Sequence, residues 1–567
     1  MNSRSLHGSA TSFIVFFLSV SAMAVPAAAA VVEHTFVVSQ MNMRRLCKET
    51  LVTVVNGQLP GPTIEVREGD SVEVHIVNKS PYNITVHWHG VKQRLNCWAD
   101  GVPMITQCPI LPNQNSTYRF NISGQEGTLW WHAHDLCLRA SLHGAFIIRP
   151  RNGASSYPIP KPHKEIPIII GEWWEKELAK VDTNMRNYFR IAGHKFTVVA
   201  ADANYVNPYT TDILAISPGE TMDALMIADA PPGRYYMVAL PTKWPLAKIQ
   251  GPMTTYVTRG MVQYKDSHIH GTEESDPVGN VPVVPDMPDR HDKMVSFYFH
   301  GNLTSLEHPW RPPVPTDVDE HLFLVLGEGK TSCRRAQSCT RRKGDGDRNI
   351  RVATMNNVSF ELHSQMTSLL EAHYYHTIDM DALQELPDRP PRVFNYTDRT
   401  LIPEGPKEEL LEQTSKATVA RRLRHGAAVE VVFQSTALLQ SNAHPMHLHG
   451  YDMFVVAQGL GNYDPEKDVA RYNLVNPPLK NTVSVPNLGW AAVRFVADNP
   501  GVWFLHLHCH FQSHLSMGMA TVFFVEDGPT AATSLPPPPA DFPRCGLGDN
   551  SMPHEYYFQT RKDSSDA

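Results

Sequence analysis

The stretch His508-Cys509-His510-Phe511-Gln512-Ser513-His514, with Met519 five residues further on, combines one thiol, three imidazoles and a thioether. A cysteine thiolate with imidazoles and a long, weak axial methionine is the ligand set of a blue-copper electron-transfer site, and zinc would have no use for the methionine. On a strand, His508 and His510 would project from one face and Cys509 from the other, so one tripeptide could hold two metal sites back to back. Three further His-x-His pairs occur: His87-Trp88-His89, His132-Ala133-His134 and His447-Leu448-His449, the last led by His444 in HPMHLHG. With 28 His in 567 residues, composition alone gives roughly one or two such pairs. The excess reads as metal binding. Another pair, His268-Ile269-His270, lies in a polar stretch beside Gly271 and reads as a solvated loop.

The elements that must position these residues read as short strands. Runs of Val, Ile, Thr and aromatic residues such as SVEVHIVN and AAVRFVA are separated by turns, and the 45 Pro and 34 Gly suit a turn-rich, all-β fold of sandwich or barrel type. The length exceeds one ordinary core and suggests three or four domains. The clearest amphipathic helix is expected over Lys407 to Arg424. A net charge of −7 gives no case for nucleic acid. The basic run Arg334 to Arg348 reads as a solvated loop between domains.

Arg4 precedes an apolar run from Phe13 to Val25 and then Pro26-Ala27-Ala28-Ala29-Ala30, which reads as a secretory signal cut near Ala30 rather than a membrane span. Sequons begin at Asn78, Asn83, Asn115, Asn121, Asn302, Asn357 and Asn395 and are expected mostly on accessible loops or turns. If Cys509 is a metal thiolate, an odd number of cysteines remains for disulfides, so at least one stays unpaired.

The four histidine segments resemble those of the multicopper oxidases. WADG at Trp98 to Gly101, ITQCPI from Ile105, GEWW from Gly171, ADNPGVWF from Ala497 and SLPPPPADFPRC up to Cys545 make the chain similar to the plant laccases over nearly its whole mature length. The resemblance implies three cupredoxin-like Greek-key domains: a signal at 1–30, a first domain at 31–150, a shortened second at 160–300, and a third at 315–567 carrying the type 1 copper and the C-terminal tail. It implies four copper ions. His444, Cys509, His514 and axial Met519 would hold the type 1 copper, and His87 with His447 the type 2 copper. His89, His132, His134, His449, His508 and His510 would hold the type 3 pair. The trinuclear cluster would sit between the first and third domains, and the ligand order agrees: two pairs precede residue 135 and the rest follow residue 443. Electrons would pass from Cys509 through His508 and His510, with Asp100 handling protons at the cluster. Trp173 and Trp174 are candidates for a phenol pocket. The resemblance pairs Cys108 with Cys545; Cys333 and Cys339 are spaced to close a small loop, and Cys47, Cys97 and Cys137 are left unassigned.

The activity implied is that of a secreted laccase of the apoplast, a monomer free of membrane that oxidises small phenolic substrates and reduces dioxygen to water. The alternatives are an ascorbate oxidase, which shares every ligand, or an inactive, poorly folding form of a laccase. A ferroxidase would need acidic residues beside the type 1 histidines, and the local sequence offers only Asp452.

Three departures from the family pattern stand out. Only Glu175 to His194 separates GEWW from KFTVVAADANYV, where relatives carry a longer stretch. The missing stretch usually holds a cysteine partner for Cys47, so Cys47 is expected to be unpaired and the second domain's core to be compromised. The pattern WFxHCH is replaced by Trp503-Phe504-Leu505-His506-Leu507-His508-Cys509, two residues longer, and an even insertion preserves the faces of a strand. Gln512 stands where a carboxylate is common.

Overall fold

The computed structural model describes residues 29–135, 138–153, 156–171, 173, 187–242, 257–264, 281–332, 349–362, 367–377, 383–401, 411–439, 443–507, 517–543 and 545. Its strands form three pairs of sheets. Alternation builds the first pair: along Ser71–Asn78 every second residue is buried, so Val72, Val74 and Ile76 enter a core with Phe36, Trp88, Trp131 and Phe146. The other sheet of this pair contains the strands Gly127–Ala133 and Val86–His89, hydrogen-bonded side by side.

The third pair is larger. An eight-stranded sheet packs on a six-stranded one that contains Ala520–Val525, Gly501–Leu507, Ala443–Leu448 and Thr482–Pro486 as neighbours. Every residue of Gly501–Leu507 and of Ala443–Leu448 is buried, because the first unit covers the face that the third unit's own core does not.

The joint between the first and third units is built by the motif residues. Asn499 of ADNPG accepts a bond from the Leu95 amide at 2.9 Å and donates to the Lys92 carbonyl at 2.9 Å and the Gly450 carbonyl at 3.2 Å. Trp98 donates from Nε1 to the Pro536 carbonyl at 2.8 Å. Cys108 is bonded to Cys545, as the resemblance implies. Cys47 is an exposed thiol and Cys97 a buried one.

The second unit has a three-stranded and a four-stranded sheet among the described residues, closed around Phe189, Val198, Val206 and Phe299. A core therefore forms despite the short connection, most of which falls in 174–186, outside the described residues. The segment before it leaves Ile166 68% and Ile168 51% exposed. They border a cavity of about 440 Å³ between the first and second units, lined also by Phe189, Phe196 and Leu214.

One expectation is corrected, and one sequon proves to be an exception. Of the helix expected over Lys407 to Arg424, the described part from Leu411 on is not helical: Ser415–Ala417 and Val419–Leu423 are strands, the latter paired in parallel with Ala420 opposite Val522. Pairing to a buried neighbour outweighs local helical spacing there. Asn78 is buried, with its amide bonded to the carbonyls of Tyr82 at 2.7 Å and Ile110 at 3.0 Å, so this sequon is not on an accessible surface. Asn115, Asn121, Asn302 and Asn395 are exposed. The signal stretch, the His268-Ile269-His270 pair, the basic run Arg334 to Arg348, Cys137, and the Cys333 and Cys339 pair lie outside the described residues, apart from Ala29 and Ala30. Among those described, no helix is long and apolar enough to cross a membrane.

Candidate metal centre

Two strand pairs carry the histidines to one place. In the first unit, His87 stands opposite His132 across the ladder between Val86–His89 and Gly127–Ala133. In the third, His447 stands opposite His506 across the ladder between Ala443–Leu448 and Gly501–Leu507. Directly opposed residues bring their Cβ atoms to about 4.5–5.5 Å, so each ladder makes a ready pair of imidazoles. His89 follows two residues after His87 and so shares its face. His134 and His449 lie just beyond their strands, tied by backbone amides to the carbonyls of Thr85 at 3.1 Å and Phe504 at 3.0 Å.

Seven imidazoles converge where the units meet. Their ring nitrogens form three overlapping groups, His87, His89 and His132; His87, His447 and His449; and His134, His449 and His506, with the candidate ligand atoms of each within 4.8 Å of one another. The rings of His89 and His447 stack at 3.8 Å, and those of His87 and His449 approach to 4.0 Å. Trp130 lies against His132 at 4.3 Å and Phe504 against His506 at 4.7 Å, which limits ring rotation.

For six of the seven rings a hydrogen bond fixes which nitrogen faces inward. Nδ1 of His87 donates to the Asp100 carbonyl at 2.7 Å, that of His132 to the Ala133 carbonyl at 2.9 Å, and that of His447 to the Asn481 carbonyl at 2.7 Å. His506 Nδ1 donates to the Leu507 carbonyl at 3.1 Å and His449 Nδ1 to Asp100 Oδ2 at 3.0 Å. His89 is turned the other way, with Nε2 on Thr482 Oγ1 at 2.9 Å. In each case the remaining nitrogen carries a lone pair, the arrangement in which an outer partner fixes the tautomer of a metal-binding imidazole.

The donor set fits a metal. Nε2 of His449 and of His506 face each other at 3.0 Å, and with both protons placed on Nδ1 these are two lone pairs in opposition, which a bound cation would relieve. Nε2 of His87 and of His134 is buried without a hydrogen-bond partner, a costly state for a polar atom unless it serves a ligand. Burial, reinforced by neighbouring imidazoles, holds His89, His134, His447 and His449 far below the usual histidine range. Burial likewise lowers His132, helped by Arg139, and brings His506 to about 3. Rings held neutral are competent ligands near neutral pH.

Asp100 is where the WADG turn delivers its carboxylate. Its Oδ2 accepts from His449 and its backbone carbonyl from His87, with Oδ1 3.4 Å from His87 Nδ1, so one buried residue braces two rings. Burial raises its pKa and His87 opposes the rise. Gly101 follows at φ +79°, and a Cβ there would fall 1.8 Å from the Val86 carbonyl oxygen, so only glycine lets the turn close on the histidine strand.

His444, three residues before His447, projects from the opposite face of its strand. It is fully buried, and Met446 and Leu448, which share its face, pack in the same core cluster as Met519. His508, Cys509, His510, Gln512 and His514 lie outside the described residues. In the position expected for His508 the structure places His506. Its signal is Trp503, since the pattern WFxH counted from this tryptophan ends at 506. Trp173 lies under the Arg45 guanidinium at 5.0 Å, on the first unit, and Trp174 is not described. Cys97 is no metal ligand here: its thiol donates to the Val502 carbonyl at 3.2 Å, and burial pushes its pKa up.

A second buried polar cluster adjoins the first, without any motif to announce it. Lys480 Nζ lies 3.3 Å from Asp202 Oδ2 and 3.0 Å from Glu220 Oε1, and His300 Nε2 lies 3.1 Å from Glu220. Asp202 Oδ2 also accepts from the Thr482 amide at 3.1 Å, and Thr482 is the residue bonded to His89.

Comparisons with known proteins agree with this geometry. Multicopper oxidase family patterns match residues 37–153, 177–267 and 385–529. Laccase-15 of Oryza sativa subsp. japonica is 55% identical over 590 aligned positions, covering 93% of this chain and 96% of that protein. Laccase-19 of the same subspecies is 50% identical, covering 93% and 95%. Among solved structures, the laccase of Botrytis aclada superposes with a TM-score of 0.60 at 22% identity over 90% of each chain. Fet3p, a multicopper oxidase that functions in iron import, does so with a TM-score of 0.58 at 20% identity over 87% and 90%. These last two show a shared cupredoxin-like fold. With three family matches in order and half-identical relatives along nearly the whole chain, the protein belongs to the multicopper oxidases, among the plant laccases, and is a copper-dependent oxidoreductase that couples substrate oxidation to the reduction of dioxygen.

Proposed function

We propose that this chain is a secreted laccase that binds four coppers and takes electrons singly from small phenols. The observation that carries the reading is the convergence of seven imidazoles, six of them oriented by an outer hydrogen bond, at the joint between the first and third units. His87 and His447 are assigned to the type 2 position. His89, His132, His134, His449 and His510, with one histidine of the Leu505-His506-Leu507-His508 repeat, are assigned to the type 3 pair. His444, Cys509, His514 and Met519 are assigned to the type 1 position.

Bound copper supplies one-electron steps at the substrate side and a buried site for dioxygen. The protein does the rest. Asp100 holds His87 and His449 in register and is the buried acid closest to where oxygen would take up protons. Thr482 and the carbonyls of Ala133 and Asn481 aim the other rings, and the aromatic walls of Trp130 and Phe504 keep bulk water from the imidazoles.

An organic substrate suits the chain better than a metal ion. Asp452, the carboxylate following His449, is buried and paired with Lys92 at 3.1 Å, so it offers no external cation site. The leader-like N-terminus and the exposed Asn115, Asn121, Asn302 and Asn395 sequons support passage through the secretory route. The test is oxygen uptake by the purified protein with a methoxyphenol and with ascorbate at equal concentration. Preference for the phenol is expected; strong preference for ascorbate would overturn the substrate assignment.

A further inference from the structure

The repeat Leu505-His506-Leu507-His508 gives this chain two candidates for one place in the cluster. On an uninterrupted strand the two would share a face, because a step of two residues restores the side-chain direction. We propose that His506, and not His508, is the histidine the last ladder contributes to the type 3 pair, so that the two extra residues fall between the cluster ligand and Cys509. This rests on the copper reading above.

The first support is the site itself. His506 stands opposite His447 in the ladder and turns Nε2 toward His449 Nε2 at 3.0 Å, with its ring centroid 5.4 Å from that of His134. Its outer nitrogen is held by the Leu507 carbonyl, so the inner one is oriented as a ligand.

The second support is that the register cannot slide. To bring His508 to this place the strand would have to move by two residues toward its N-terminal end. Trp503 is fully buried, donates to the Asn499 carbonyl at 2.8 Å, and lies so close to Gly450 that a Cβ there would fall 2.4 Å from the indole. After a slide Leu505 would occupy the indole's slot and leave much of it empty. Trp503 would take the place of Gly501, which has φ +138° and only 2.9 Å between an added Cβ and Cys97 Cβ. No bulky side chain fits there. On the other edge, His506 is paired with Ala520 in a ladder that runs without a break to Gly501 opposite Val525. The insertion is therefore accommodated after His506. The covalent distance from the Cys509 thiolate to the first cluster histidine becomes three residues instead of one.

The test compares copper per chain and the EPR-silent fraction of that copper in the wild type, His506→Ala, His506→Gln and His508→Ala. With the wild type holding its full complement, His506→Ala and His506→Gln are expected to lose about one or two coppers and the silent, coupled fraction, while His508→Ala keeps both. Loss of the coupled pair in His508→Ala would overturn the proposal, whether or not the His506 variants also lose it. Should the His506 variants fail to be secreted, His508→Ala alone decides: an intact coupled pair supports the assignment and a lost one sinks it. A folded wild type free of copper would instead bring down the copper reading, and this proposal with it.

Discussion

On one side of Thr482 seven imidazoles converge, six of them oriented by an outer hydrogen bond; on the other, Asp202, Glu220, Lys480 and His300 pair with one another at 3.0–3.3 Å. Both clusters are buried and both sit where sheets of different units meet. The ion cluster is complete as it stands, since each carboxylate faces Lys480. The histidine cluster is complete only with a cation among its inner nitrogens. Charges matched internally mark a joint that holds units together, and donors arranged around a common centre mark a joint that holds a ligand.

Breaking the ion cluster should have the larger effect on folding. Lys480→Met leaves Asp202 and Glu220 buried without their shared cation, and removing one partner of a buried ion group costs about 3–5 kcal/mol. Urea unfolding of the copper-loaded protein should show that loss, while the copper bound by the fraction that folds stays unchanged. A loss under about 1 kcal/mol would mean that water reaches the cluster and screens it.

The brace of the histidine cluster should act on chemistry more than on folding. Asp100→Ala removes the outer partner of His449 and a neighbour of His87, and losing such a partner lowers metal affinity or turnover by about 10–100-fold. Oxygen uptake and copper content, measured together on the same preparation, separate the two. Unchanged values for both would show that the rings keep their orientation without it.

The smallest effect expected is a pH dependence carried by Asp202. Burial raises its carboxyl to about 6, with Glu220 adding to the rise and Lys480 opposing it. Its unfolded value is about 3.9. A raised folded pKa means that the folded state holds the proton more tightly, so this contribution is full below about pH 4 and is lost as pH rises toward about 6. Glu220 is displaced the opposite way by His300 and Lys480, and Lys480 itself is pushed up and stays charged across this window. Asp202→Asn should therefore gain stability relative to the wild type between about pH 4 and pH 6. The comparison of the two proteins cancels the histidines. Parallel melting curves across that window would contradict the assignment.

The chemistry-bearing segments were readable in advance because strand alternation ties His-x-His to one face and because WADG and ADNPG are needed to close the turns that meet them. Asp100 and Asn499 show this directly, each bonding across the joint from its own motif. Register was only half readable from local pattern, since WFxH counted from Trp503 points to His506 while counting back from Cys509 points to His508, and the slots for Trp503 and Gly501 decide between them. The ion cluster was invisible for another reason: Asp202 and Lys480 are nearly three hundred residues apart, and no motif marks either. Local spacing reads as helix at Ser415–Ala417 and Val419–Leu423 because their neighbours in the sheet, Val358–Phe360 and Ala520–Val525, are also distant in the chain.

Counting copper in the purified, dialysed protein tests the central claim most directly. The assignment of the histidine cluster and the Cys509 segment predicts a complement approaching four per chain, with intense visible absorption from a Cu(II) thiolate. A cooperatively folded protein that holds copper near zero after loading would contradict it.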